Sequence, residues 1–144
     1  MENLLPHSKE MILINSLEFF SPKLIKVKAK IKSNSPFVKD EKFATFQTIE
    51  IMAQTLGVYD TKMCELANIK PSLGFLLGSR KFEIFKDFLE VGDEILAVCK
   101  PSFQSDDGFG VYECECFLGE NLVSKGNLNI FKPSKKALME IINE

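Results

Sequence analysis

The chain has 144 residues, which suits one domain, and a hydrophobic fraction of 45%, which suits a real core. Its formal net charge of -2 argues against a nucleic-acid protein driven by bulk charge. No apolar run approaches the roughly 20 residues that cross a bilayer.

The start, "MENLLPHSKEMILI", lacks the basic opening and cleavage pattern of a signal peptide. We therefore expect a cytoplasmic protein with reduced cysteines. "MILINSLEFF" (11 to 20) reads as a strand with a bend near Asn15 and Ser16. "KLIKVKAKIK" (23 to 32) alternates strictly, with Ile25, Val27, Ala29 and Ile31 on one face and Lys26, Lys28, Lys30 and Lys32 on the other. That pattern is a strand with a buried side and a solvated side.

"SNSPFVKDEK" (33 to 42) reads as a polar connection. A helix follows over about 45 to 68, with Thr45 as its N-cap and a seam of Ile49, Met52, Leu56, Tyr59, Met63 and Leu66 at steps of three and four. Pro71 and Gly74 mark its end. Four strand-like runs come next, at 74 to 85, 94 to 103, 110 to 118 and 122 to 131, joined by the turn-forming "LEVGD", "QSDDG" and "GEN". "PSKKALMEIINE" reads as a closing short helix, with Leu138, Ile141 and Ile142 on one side.

Cys114 and Cys116 fall two apart on one strand, where Cα atoms lie about 6.5 to 7 Å apart, the long limit for a disulfide. Cys64 and Cys99 belong to other elements, and His7 is the only histidine, so no zinc-ligand clustering is visible. The cysteines read as core thiols.

The order is two strands, one long helix, then four strands. A helix apolar almost all round must be covered on most sides, and one curling antiparallel sheet would do that. The expectation is a single α+β domain over 1–144: a central helix wrapped by a curved sheet of five to six strands.

The polar exceptions on that helix carry the chemistry. Glu50 lies near the helix start, where the backbone dipole stabilises negative charge. Gln54 lies one turn further along the same face, and Ala53 and Gly57 beside them leave room. A carboxylate there is costly unless solvated, paired or neutralised. A stripe bordering a ligand cleft is one reading; a paired Glu50 and Gln54 in a wet interface is the other.

Three segments carry a family likeness. "LPHSKEMILINSLEF", "TIEIMAQTLGVY" and "GFLLGSRKFEIFKDFLEVGDEILAV" resemble, in order and spacing over roughly residues 4 to 98, the hot-dog 3-hydroxyacyl-[acyl-carrier-protein] dehydratases. The likeness is nearest to their divergent subgroup that includes aryl-polyene pathway proteins. The resemblance implies the hot-dog fold, dimers whose sheets join, and an interface tunnel for an acyl chain. It implies no cofactor of the protein's own: the acyl group rides on the phosphopantetheine of an acyl carrier protein or on coenzyme A.

In active members a loop histidine and a helical acid on the partner share the proton transfers. The acid carries over onto Glu50. The histidine's place falls on Pro36, and the "HFPGxPxxPG" loop is absent. His7 is a candidate proton carrier instead, with a histidine bonded to backbone near the first strand as the plainer reading. Gln54 and Gly57 are expected to line the acyl site. Arg80 is expected to meet a pantetheine or coenzyme A phosphate, and Lys132, Lys135 and Lys136 to attract an acidic carrier.

Three uses of Glu50 follow: acid/base in a dehydratase, activator of water or nucleophile in a thioesterase, or polar anchor in a scaffold subunit. A homodimer is expected, and a heterodimer with a histidine-bearing homologue is the alternative.

Overall fold

The computed structural model describes residues 12–70 and 74–132. Its elements are β1 (Ser16–Ser21), β2 (Leu24–Lys30), β3 (Val38–Lys39), β4 (Lys42–Ala44), a 3-10 turn (Thr45–Gln47), α1 (Thr48–Leu66), β5 (Phe75–Ile84), β6 (Phe88–Glu90), β7 (Glu94–Gln104), β8 (Phe109–Leu118) and β9 (Asn121–Phe131). A six-stranded antiparallel sheet runs β1-β2-β7-β8-β9-β5, and a small sheet runs β3-β4-β6. α1 packs against β2, β7 and β8. This is the helix-in-curved-sheet arrangement anticipated above. The closing helix anticipated at 133 to 144 lies outside the described residues.

The middle of the sheet is built from small side chains. Ala97 pairs with Cys116, Cys99 with Cys114, Cys114 with Gly126 and Cys116 with Ser124. Bulk beneath the helix therefore comes from α1 itself, through Ile51, Met52, Leu56 and Tyr59, all buried. All four cysteines are free and buried, filling small spaces as expected. Gly126 has a further reason: a Cβ there would stand 2.8 Å from the Phe82 ring and 3.2 Å from the Phe82 Cα. Its bare backbone lets the bulged part of β5 close over β9.

Several sequence expectations are corrected. The first strand starts at Ser16, not at residue 11. The Asn15 N–H donates to the Lys28 carbonyl (2.7 Å), but its side-chain oxygen accepts from the Lys30 N–H (2.6 Å). That side chain ends the ladder, and residues 12–14 leave the sheet with Leu13 and Ile14 buried. The connection at 33 to 42 contains a strand and leads into a tight hairpin, β3–β4. Its type I′ turn needs positive φ at both central residues, and Asp40 (52°) and Glu41 (62°) supply it.

Thr45 does not cap the helix; it opens the 3-10 turn, and Gln47 takes the cap position without a side-chain bond. Thr48 does the local work: its hydroxyl donates to the Thr45 carbonyl (2.7 Å) and pairs with Ser124 Oγ of β9 (2.6 Å). Leu66, the last residue of α1, is 66% exposed and so drops out of the buried seam. Tyr59 is buried as expected, and its hydroxyl donates to the Pro22 carbonyl (2.6 Å). The lysine row of β2 is a solvated face, with Lys28 near Glu94 (3.4 Å).

Candidate functional site

One stripe of α1 escapes full burial by its own sheet. Glu50, Ala53 and Gly57 are each half-buried along it, and Phe46 one turn earlier is exposed. On either side the helix is sealed, by Ile51 and Val58 in one direction and Met52, Leu56 and Tyr59 in the other. Ala53 and Gly57 beside it are small, so Glu50 is the large polar side chain of this part of the stripe.

Gln54 differs from Glu50 in environment although it is the next residue up the face. It is fully buried. Its side-chain oxygen accepts the Leu13 N–H at 2.8 Å, and its amide nitrogen donates to Glu50 Oε1 at 3.4 Å. The segment 12–14, which leaves the sheet at Asn15, is thus what Gln54 holds. Glu50 and Gln54 therefore pair with each other, as a long contact.

Pro36, the position expected from sequence to stand where the resembled enzymes carry a loop histidine, lies at the entry to β3. Beside it Phe37 and Phe43 make an edge-to-face contact at 6.3 Å, with Phe43 fully buried. The tight β3–β4 hairpin follows directly.

Arg80 is not brought to Glu50. It pairs with Asn127, which pairs with Glu113. That row adjoins the buried Cys114–Gly126 row, and side chains alternate along a strand, so Arg80 points away from α1. It is exposed. His7 lies outside the described residues, as do Lys135 and Lys136.

Lys132 is not a spare surface charge. Its ammonium donates to both carboxylate oxygens of Asp60 (2.7 Å each) and to Cys64 Sγ (3.1 Å). Burial works against that charge, but the bonds to Asp60 and Cys64 outweigh it, so its pKa is raised. Sequence spacing gave no hint of this latch, because 72 residues separate its ends.

Tyr59 and Tyr112 stack edge to face nearby (5.8 Å). Burial, then the neighbouring Tyr112, pushes Tyr59 up to about 12. Burial is also the main cause that raises Tyr112 and sends Cys116 to about 12. These groups are held neutral and inert. No group of three or more His, Cys, Asp or Glu among the described residues is placed to hold a metal ion. No helix among the described residues is long and apolar enough to cross a membrane.

Comparison with known proteins bears on this geometry. Among solved structures, the chain is similar to the dehydratase heterocomplex ApeI:P of Xenorhabdus doucetiae, with 25% identity over 99% of this chain and 97% of that one, at TM-score 0.86. It shares its fold with the Escherichia coli PaaI protein of the phenylacetic acid degradation operon, at 11% identity over 81% and 82% of the two chains and TM-score 0.62. A hypothetical thioesterase from Streptococcus pneumoniae, solved with coenzyme A, gives 13% identity over 81% and 86% and TM-score 0.64. A search of curated protein sequences finds no match. The hot-dog fold follows from these likenesses. Residues 1–142 match the family described as ApeP-like, ApeP dehydratase, and the chain belongs to that family.

Proposed function

We propose that this chain is the acid-bearing subunit of a two-subunit dehydratase for 3-hydroxyacyl thioesters. The observation that carries the reading is a mismatch within one site. Glu50 stands on the half-open stripe of α1, while the position expected from sequence for the histidine is held by Pro36 beside the packed Phe37–Phe43 hairpin. Dehydration moves two protons: one leaves Cα, and one joins the departing 3-hydroxyl, giving a 2-enoyl thioester and water. Glu50 serves one of these transfers. The other group comes from a partner hot-dog subunit, for which the heterocomplex relative is the precedent.

The sheet supports a joined partner. β5 is a ten-residue edge strand, and Leu76, Leu77 and Ile84 on it are 44%, 56% and 43% exposed. A long apolar edge invites pairing with another strand. Joining there adds a second subunit's sheet. The acyl group arrives on the phosphopantetheine of an acyl carrier protein or on coenzyme A, its chain lying along Ala53 and Gly57.

The thioesterase reading keeps one specific support: a lone helical carboxylate suffices to activate water, without a histidine. The test is turnover by the purified chain, alone and with a histidine-bearing hot-dog dehydratase homologue, on 3-hydroxyacyl, 2-enoyl and saturated acyl thioesters. Dehydration only in the mixture supports the proposal. Hydrolysis by the chain alone replaces it with the thioesterase. Tight binding without turnover in either preparation leaves a scaffold.

A further inference from the structure

The end of α1 far from Glu50 carries a second cluster of reactive side chains. Asp60 and Cys64 sit one turn apart on the helix. The Lys132 ammonium spans them, 2.7 Å from each Asp60 oxygen and 3.1 Å from Cys64 Sγ. We propose that Cys64 and Lys132 are an oxidation site: a thiol and an amine that an oxidant joins through one oxygen atom, as a covalent N–O–S bridge.

Its contacts set Cys64 apart from the other thiols. Cys99, Cys114 and Cys116 lie in the middle of the sheet, where they neighbour one another, Ser124 and Thr48. Cys64 has an amine nitrogen directed at its sulfur. The cysteine is 3% exposed, which excludes bulky reagents, but the lysine side chain over it is 23% exposed and leads to solvent. A small oxidant meets sulfur and nitrogen together. A direct S–N bond would require the two atoms to close by more than an ångström. An oxygen between them leaves both nearly where they stand.

Dioxygen supplies the balance. The ammonium first passes its extra proton to Asp60, which already holds it through both oxygens. The S–H bond, one N–H bond and the O–O bond then break, and N–O and O–S bonds form. Nitrogen and sulfur each give up two electrons, and the oxygen molecule takes all four. Its second atom leaves as water with the two hydrogens. Against the effect of burial, the bonds to Asp60 and Cys64 raise the Lys132 pKa, so the free amine is scarce at neutral pH and the step is slow there. The product turns the ion-pair latch between α1 and β9 into a covalent one.

The test is intact-mass spectrometry of the purified chain, reduced and then held under oxygen for a prolonged period. One oxygen gained and two hydrogens lost should add about 14 Da, reversibly with dithiothreitol, and remove one alkylatable thiol from the denatured chain. Peptide mapping should join Cys64 to Lys132. Cys64→Ser and Lys132→Arg, the second keeping a cation opposite Asp60, should both abolish the gain. The bridged chain should melt on the order of 10 °C above the reduced one, because the crosslink closes a 68-residue span of the unfolded chain. A gain of about 16 Da at Cys64 would mean a plain sulfenic acid and would overturn the bridge. So would a disulfide at Cys64, or a Cys64 thiol that stays unmodified under oxygen.

Discussion

Asp60 of α1 and Lys132 at the end of β9 form a two-point ion pair, 2.7 Å from the ammonium to each carboxylate oxygen. It latches the end of the last strand onto the helix. Lys132→Met should lower stability by about 1 kcal/mol, a charged hydrogen bond discounted for partial exposure. The raised pKa of Lys132 fixes the pH dependence. Its contribution is fully present below the unfolded lysine value and is lost as pH rises through the higher folded one. Urea midpoints from neutral to strongly alkaline pH should therefore converge for wild type and Lys132→Met.

Thr48 and Ser124 share a buried hydroxyl pair at 2.6 Å, tying the helix start to β9. Removing either hydroxyl alone leaves a buried partner short of a bond, costing about 1–3 kcal/mol. Thr48→Val with Ser124→Ala should cost less than the sum of the single changes. Chemical denaturation of the four proteins in a double-mutant cycle reads that coupling.

Gly126→Ala should destabilise by about 1–3 kcal/mol, the usual cost of overpacking. The added carbon meets the Phe82 ring at 2.8 Å. Phe82→Leu in the same chain should recover only part of the loss, since the Phe82 Cα stands 3.2 Å away and cannot be trimmed. Melting temperatures of the single and double variants check this.

The chain has two tyrosines, Tyr59 and Tyr112, and burial raises both. An alkaline spectrophotometric titration should show almost no phenolate at the ordinary value of about 10. Ionisation should come near 12 for Tyr59 in the folded state, or abruptly if unfolding comes first. Each raised value stabilises the fold below the ordinary tyrosine pKa, and that contribution is lost as pH climbs through the folded one.

Much of the architecture was legible because period and punctuation mark it. The alternation from Ile25 to Ile31 and the three-four spacing from Ile49 to Met63 place β2 and α1. The Gly119 turn before Asn121 places the β8–β9 hairpin. Pattern and structure part where a single polar side chain redirects the backbone. Asn15 ends the first strand by taking the Lys30 N–H, and no periodicity reports that. Thr45 looks like a cap but is displaced by the 3-10 turn. At the site, Glu50 and Gln54 stood out as polar residues on an apolar helix. Their different burial did not, because it depends on Leu13 arriving from 41 residues away. Arg80 faces outward through its register with Asn127, a matter of strand pairing that spacing alone cannot supply.

The most direct measurement is conversion of a 3-hydroxyacyl thioester to its 2-enoyl product by this chain mixed with a histidine-bearing hot-dog partner, with and without Glu50→Gln. The account predicts dehydration by the wild-type pair and a loss on the order of a hundredfold or more in kcat on removing the carboxylate, with the complex still assembled. Equal rates from the two pairs would contradict it.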